Sequence, residues 1–187
     1  MNMQQFEQCR QHIQTIQEAY RSIIGKDFVG YQNHCIRMAG CCLALLSQQT
    51  QNTDIDAVEK IAIAAAFHDI GIWTANTIDY LEPSIPPMLD YLVQRKKEHW
   101  SDEIRVMILE HHKITTTQYP QYPLVEIFRK ADLADFSLGL VRSGVPKNTM
   151  KYLKQQYPNA GFHKLLFELT LSNLPKSPLN PLPMMKW

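Results

Sequence analysis

The stretch Ala64-Ala65-Ala66-Phe67-His68-Asp69-Ile70-Gly71 sets an imidazole beside a carboxylate at the end of an apolar run. Two ionisable side chains are costly there unless they pair with each other or share a cation. Neutral imidazole with carboxylate is a donor set that suits a borderline divalent metal. A helix end closed by a hydrogen-bonded His and an Asp explains the doublet equally well, so the doublet alone leaves both readings open. Other positions add weight to the metal. His34 precedes Met38, Cys41 and Leu45 by four, seven and eleven residues, so it shares the inward face of a helix. His111 shares a face with Ile104, Met107 and Ile108, while His112 points about a hundred degrees round, towards the helix edge. Asp132 follows Val125 and Phe128 on one face. Several inward His and Asp side chains on separate helices are better explained by one shared cation than by separate partners, a known device of helical bundles.

The elements that must carry these residues follow from the spacing of apolar side chains. Phe6, Cys9, Ile13, Ile16, Tyr20, Ile23 and Ile24 recur at three and four, which predicts an amphipathic helix ended near Gly25. A second helix runs from Asp27 to about Gln48. Thr50 to Thr53 reads as a polar turn, and Asp54 caps a third helix, Ile55 to about His68. Its Ile61-Ala62-Ile63-Ala64-Ala65-Ala66 run is apolar all round and marks it as the central buried helix. Thr74 to Pro83 reads as an irregular loop over the His68-Asp69 end. Ser84 with Pro86 and Pro87 opens a fourth helix, and Ser101 with Asp102 and Glu103 opens a fifth, to His112. Thr115 to Pro123 is a loop. Further helices span Pro123 to about Leu140, Pro146 to Tyr157 and Phe162 to Leu174. No segment alternates like a strand. The expected fold is all-α, one helical bundle over residues 1–172 followed by a proline-rich tail, 173–187.

Composition narrows the function classes. With 187 residues the chain can bury a substantial single core, and its formal charge of +1 lacks the basic excess of a protein that coats nucleic acid. Cys9, Cys35, Cys41 and Cys42 have no Cys-x-x-Cys spacing and read as reduced thiols. The polar amino terminus is unlike a signal peptide, and no apolar run reaches the ~20 residues of a membrane span. A cytoplasmic protein is expected, with no membrane partner and no nucleic acid as main partner. Its oligomeric state is open, a homodimer included.

The ordered set His34, His68-Asp69 and Asp132 resembles the HD-domain superfamily of metal-dependent phosphohydrolases. The flanking residues agree: Tyr31-Gln32-Asn33-His34-Cys35-Ile36-Arg37-Met38-Ala39, Ala-Phe-His-Asp-Ile-Gly, and Lys130-Ala131-Asp132-Leu133-Ala134-Asp135. The resemblance covers roughly Gly30 to Phe136 and implies an all-α bundle. It also implies that His34, His68, Asp69 and Asp132 hold one divalent ion, with Mn, Fe, Co, Ni, Zn and Mg all open. Some members of the superfamily hold two ions and use extra histidines; His99, His111 and His112 are available here, and the single-ion reading is preferred. Two branches fit poorly. The cyclic-di-nucleotide phosphodiesterases carry Lys after Ile-Gly, and the 5′-deoxynucleotidase-like enzymes carry Glu three residues after their Asp; Ile72 stands at that position.

The implied activity is hydrolysis of a small phosphorylated substrate, with a nucleotide among the open choices, by metal-activated water. Asp69, His111, His112 and Lys113 are the candidate catalytic residues. Lys113 and Arg37 are candidate phosphate clamps, and Asp79 is a candidate acid for the leaving oxygen. The alternatives are a two-iron oxygenase, a single-metal hydratase of a small molecule, and a binding scaffold without catalysis.

Overall fold

The computed structural model describes residues 1–49 and 54–185, so the polar turn expected at Thr50 to Thr53 lies outside the described residues. Among these residues every regular element is helical and none is a strand. No helix among them is long and apolar enough to cross a membrane.

Helix α1 spans Met3–Glu18. The Asn2 side chain starts it by accepting from the backbone amides of Gln4 and Gln5, and its Phe6, Cys9, Ile13 and Ile16 face is buried. A short helix, α2 (Arg21–Ile24), and a 3₁₀ turn at Gly25–Asp27 lead into α3 (Phe28–Gln49). Helix α4 (Ile55–Phe67) starts at Asp54, whose carboxylate accepts from the amide of Asp56. The central position expected for α4 is shared with α3, which is buried almost continuously from Phe28 to Leu46 and packs on both α1 and α4. Small side chains permit that. A methyl group on Gly30 would come within 2.9 Å of the Ala160 carbonyl, and one on Gly40 within 2.7 Å of Leu153.

A short helix, α5 (Gly71–Thr74), follows the doublet and leads into the loop expected from Thr74. The loop continues through buried Tyr80 and Leu81 to a 3₁₀ turn, Glu82–Ser84, and α6 (Ile85–Gln94). Helix α7 spans Ser101–Glu110 and stops immediately before His111, two residues short of the expected end at His112. Helix α8 spans Leu124–Phe136, four residues short of the expected end at Leu140. Its stop is a Schellman motif: Gly139 N–H donates to Ala134 C=O at 2.8 Å and Leu138 N–H to Asp135 C=O at 2.9 Å. Leu138 takes the left-handed position that glycine usually holds, with φ +54°, so composition gave no warning of the stop.

Helices α9 (Lys147–Gln156) and α10 (Phe162–Asn173) close the bundle. The proline-rich tail folds back on it, with Met184 buried against Ile72, Tyr80 and Leu81. All four cysteines are buried and unbridged, and burial pushes the Cys9 thiol up to about 12.

Candidate metal centre

His34 sits in the middle of α3 with its ring stacked on Phe162, 4.3 Å between centroids. His68 and Asp69 lie just past the end of α4. Tyr31 holds that turn: its hydroxyl donates to the Ala66 carbonyl at 3.0 Å and accepts from the Asp69 amide at 3.3 Å. The next residues are pinned as well, since Gly71 N–H donates to Ser84 Oγ and the Ser84 hydroxyl donates to the Tyr80 carbonyl. A methyl group on Gly71 would stand 2.5 Å from that same carbonyl, so only glycine lets this turn approach. His111 and His112 follow the end of α7, and Asp132 projects from the middle of α8.

These six side chains form one cluster. His34 Nε2 lies 3.0 Å from His68 Nε2 and 3.5 Å from Asp132 Oδ1. His68 Nε2 lies 3.1 Å from Asp69 Oδ2, and His111 Nε2 lies 3.3 Å from Asp69 Oδ1. His112 Nδ1 lies 3.4 Å from Asp132 Oδ2. Three combinations, His34–His68–Asp69, His68–His111–Asp132 and Asp69–His111–His112, each bring their ligand atoms within 4.8 Å of one another. Asp69 belongs to two of them and turns one oxygen to each.

The tautomers follow from the partners. A carbonyl oxygen only accepts, so His68 Nδ1, 2.9 Å from Ala65 C=O, and His111 Nδ1, 2.7 Å from Ile108 C=O, must each carry hydrogen. His34 Nδ1 donates to Asp135 Oδ2 at 2.8 Å. Asp135 is itself a carboxylate: burial would raise its pKa, but His34 and the Arg37 guanidinium hold it below the usual value. In the neutral rings, three Nε2 lone pairs therefore point at one place, together with the carboxylates of Asp69 and Asp132.

Protonation resolves only part of this. Burial opposes a charged His68, yet the adjoining Asp69 carboxylate overrides it and lifts the His68 pKa well above its ordinary value. Asp69 feels the opposite pull; burial is outweighed by His68 and His111, and its pKa falls well below the carboxylate range. Burial pushes Asp132 up, and burial with the neighbouring His111 pushes His112 well down. Asp69 Oδ1 and His111 Nε2 remain buried without a hydrogen-bond partner. They face each other at 3.3 Å, and because the His111 proton sits on Nδ1, lone pair meets lone pair; a divalent cation between them would satisfy both, as would a proton on Nε2. The donor set of imidazoles and carboxylates suits such an ion.

His34, His68, Asp69 and Asp132 thus come together as expected, and His111 with them. His112, expected at the rim, contributes a ring nitrogen as well. Its side chain is 7% exposed, with Nε2 2.7 Å from the Tyr80 hydroxyl. His112 thereby joins Asp69 and His111 in a second group that could hold an ion.

The expected substrate groups fall elsewhere. Arg37 is not a free clamp: it is 2% exposed and donates from Nε and Nη2 to Asp135, both at 2.7 Å, and from Nη1 to the Tyr157 carbonyl. Its role is structural, holding the carboxylate that orients His34. Lys113 lies 3.4 Å from Glu110. Asp79 and His99 are exposed and outside the cluster. Sequence reasoning missed Asp135 and Tyr80. Asp135 was findable, since it lies three residues after Asp132 on the same helical face; Tyr80 comes from a loop without periodicity and gave no such signal.

Comparison with known proteins does not decide the family. No family model, curated protein or solved structure matches the chain.

Proposed function

We propose that the chain is a metal-dependent phosphohydrolase of HD-domain type acting on a small phosphorylated substrate. The observation that carries this reading is the buried cluster of four histidines and two aspartates, in which Asp69 Oδ1 and His111 Nε2 face each other at 3.3 Å without a hydrogen bond. His34, His68, Asp69 and Asp132 would hold one divalent ion, and Asp69, His111 and His112 a second, with Asp69 shared. A bound ion supplies Lewis acidity, lowers the pKa of water and neutralises phosphoryl charge. The chain's own residues do the rest. Asp69 orients the attacking water as an acceptor. The Tyr80 hydroxyl, 2.7 Å from His112 Nε2, can hydrogen-bond to the leaving oxygen, while the attacking water supplies both the oxygen that joins phosphorus and the proton that leaves with the alcohol. Bond cleavage then yields the alcohol and inorganic phosphate. Metal ions would carry the charge neutralisation, because Arg37 is committed to Asp135.

One observation favours a second reading, a two-iron oxygenase of the same fold type: among the described residues, the cavity that opens beside His112 has no Lys or Arg in its lining. Anomalous scattering and elemental analysis of the purified protein distinguish the two by the identity and number of ions. Replacing His68 or Asp69 with Ala should remove bound metal while far-ultraviolet circular dichroism stays helical. Wild-type metal content in both variants would reject the metal centre. Loss of phosphate release with the metal supports the hydrolase, whereas substrate-dependent oxygen uptake by the iron-loaded protein supports the oxygenase.

A further inference from the structure

A cavity of about 220 Å³ opens directly beside the cluster, with His112 and Tyr80 at its inner end. Phe136, Leu166, Phe167, Leu182 and Met185 form its walls, so α10 makes one side and the proline-rich tail another. Among the described residues, no Lys, Arg, Asp or Glu lines it. The other polar side chains in the wall are already engaged. His163 Nε2 takes a 2.8 Å hydrogen bond with the Phe136 carbonyl, its Nδ1 contacts Asn159, and the Thr170 hydroxyl donates to the Leu166 carbonyl at 2.8 Å. The wall thus offers little free hydrogen-bonding capacity, and the Tyr80–His112 pair, bonded at 2.7 Å, marks its side nearest the cluster.

We infer that this cavity receives the apolar part of the substrate, and that the substrate is the phosphate monoester of an apolar alcohol or phenol rather than a nucleotide. The inference rests on the phosphohydrolase reading for the phosphoryl end only. A nucleobase or sugar placed here would bury donors and acceptors without partners, which costs far more than a poor apolar fit. Among the described residues of the wall, a second or third phosphate would meet no Lys or Arg. The volume has room for about seven water-sized groups at roughly 30 Å³ each, which matches one aromatic ring or a six- to seven-carbon chain. The tail, through Leu182 and Met185, acts as part of the specificity wall.

The test is a ladder of non-hydrolysable n-alkylphosphonates, methyl to hexyl, titrated calorimetrically into the manganese-loaded full-length chain. Each added methylene should lower Kd by about fourfold, the equivalent of ~0.8 kcal/mol per buried CH₂. Phe167→Glu should flatten the ladder; Phe167 is 62% exposed, so the change leaves the core intact. Met185→Glu repeats the test from the tail. A flat ladder in the wild type, a ladder untouched by both variants, or tighter binding of adenosine 5′-monophosphate than of hexylphosphonate would overturn the inference. Length-dependent binding with no hydrolysis of the matching alkyl phosphates would keep the cavity assignment and reject the hydrolase. Hydrolysis with a flat ladder would do the reverse.

Discussion

His34 is useful to a metal only while its Nδ1 proton is occupied, and Asp135 performs that task 2.8 Å away. Arg37 in turn fixes Asp135 through two hydrogen bonds. Such outer partners set ring orientation and ligand basicity. Asp135→Asn should therefore weaken manganese binding by about 10- to 100-fold, measured by competition with a chromophoric chelator. It should also destabilise the fold by about 3–5 kcal/mol in urea, because a buried guanidinium loses its counter-charge. An unchanged metal Kd would show that Asp135 does not tune His34. The ligands themselves were legible in the sequence, since a helical period of 3.6 fixes which residues share a face. The Arg37 role was not, because its partner is 98 residues away and only packing decides whether a guanidinium faces water or a carboxylate.

Helix ends place most of the cluster, so the segments that fix those ends control it. After His111 and His112 the chain runs into the 113–123 loop, and Glu126 in the first turn of α8 ties that loop down. Its carboxylate accepts from Thr117 N–H at 3.0 Å, Thr117 O–H at 2.8 Å and Arg129 at 2.7 and 2.8 Å. Arg129 also donates to the Lys113 carbonyl. Burial would raise the Glu126 pKa, but Arg129 and Thr117 override it and bring it from 4.5 to about 2. A carboxylate depressed on folding stabilises fully above its unfolded value, and that stability is lost as pH falls through the folded value. Glu126→Gln should thus be less stable than wild type at pH 6, by ~1 kcal/mol or less after solvent screening. The gap should close between about pH 4.5 and pH 2 in urea unfolding. A gap that persists at pH 2 would place the effect in packing rather than charge. Helix starts were legible at this scale, as Asp54 and the Ser84–Pro87 stretch illustrate. The end of α8 was not, because a leucine occupies the left-handed cap.

Across the whole molecule, the candidate ligands come from α3, the ends of α4 and α7, and α8, whose intervening contacts form one core. Hydrophobic periodicity made the all-helical bundle legible. It left open where the tail goes, since proline-rich chain has no period; among its described residues Met184 is buried and Leu182 packs beside it. A cation bound at the cluster would connect four segments that are far apart in sequence, and the unfolded chain cannot assemble those donors. Metal binding is therefore linked to folding. At a free metal concentration of 100 times Kd the linkage adds about 2.7 kcal/mol. For a chain of this size that should raise Tm by roughly 5–10 °C. Differential scanning calorimetry with manganese, and again after exhaustive chelation, measures it. The His68→Ala and Asp69→Ala variants should melt at the same temperature with and without the ion. Equal melting of the wild type in metal and in chelator, at saturating metal, would mean that the six side chains do not act as one cross-helix site.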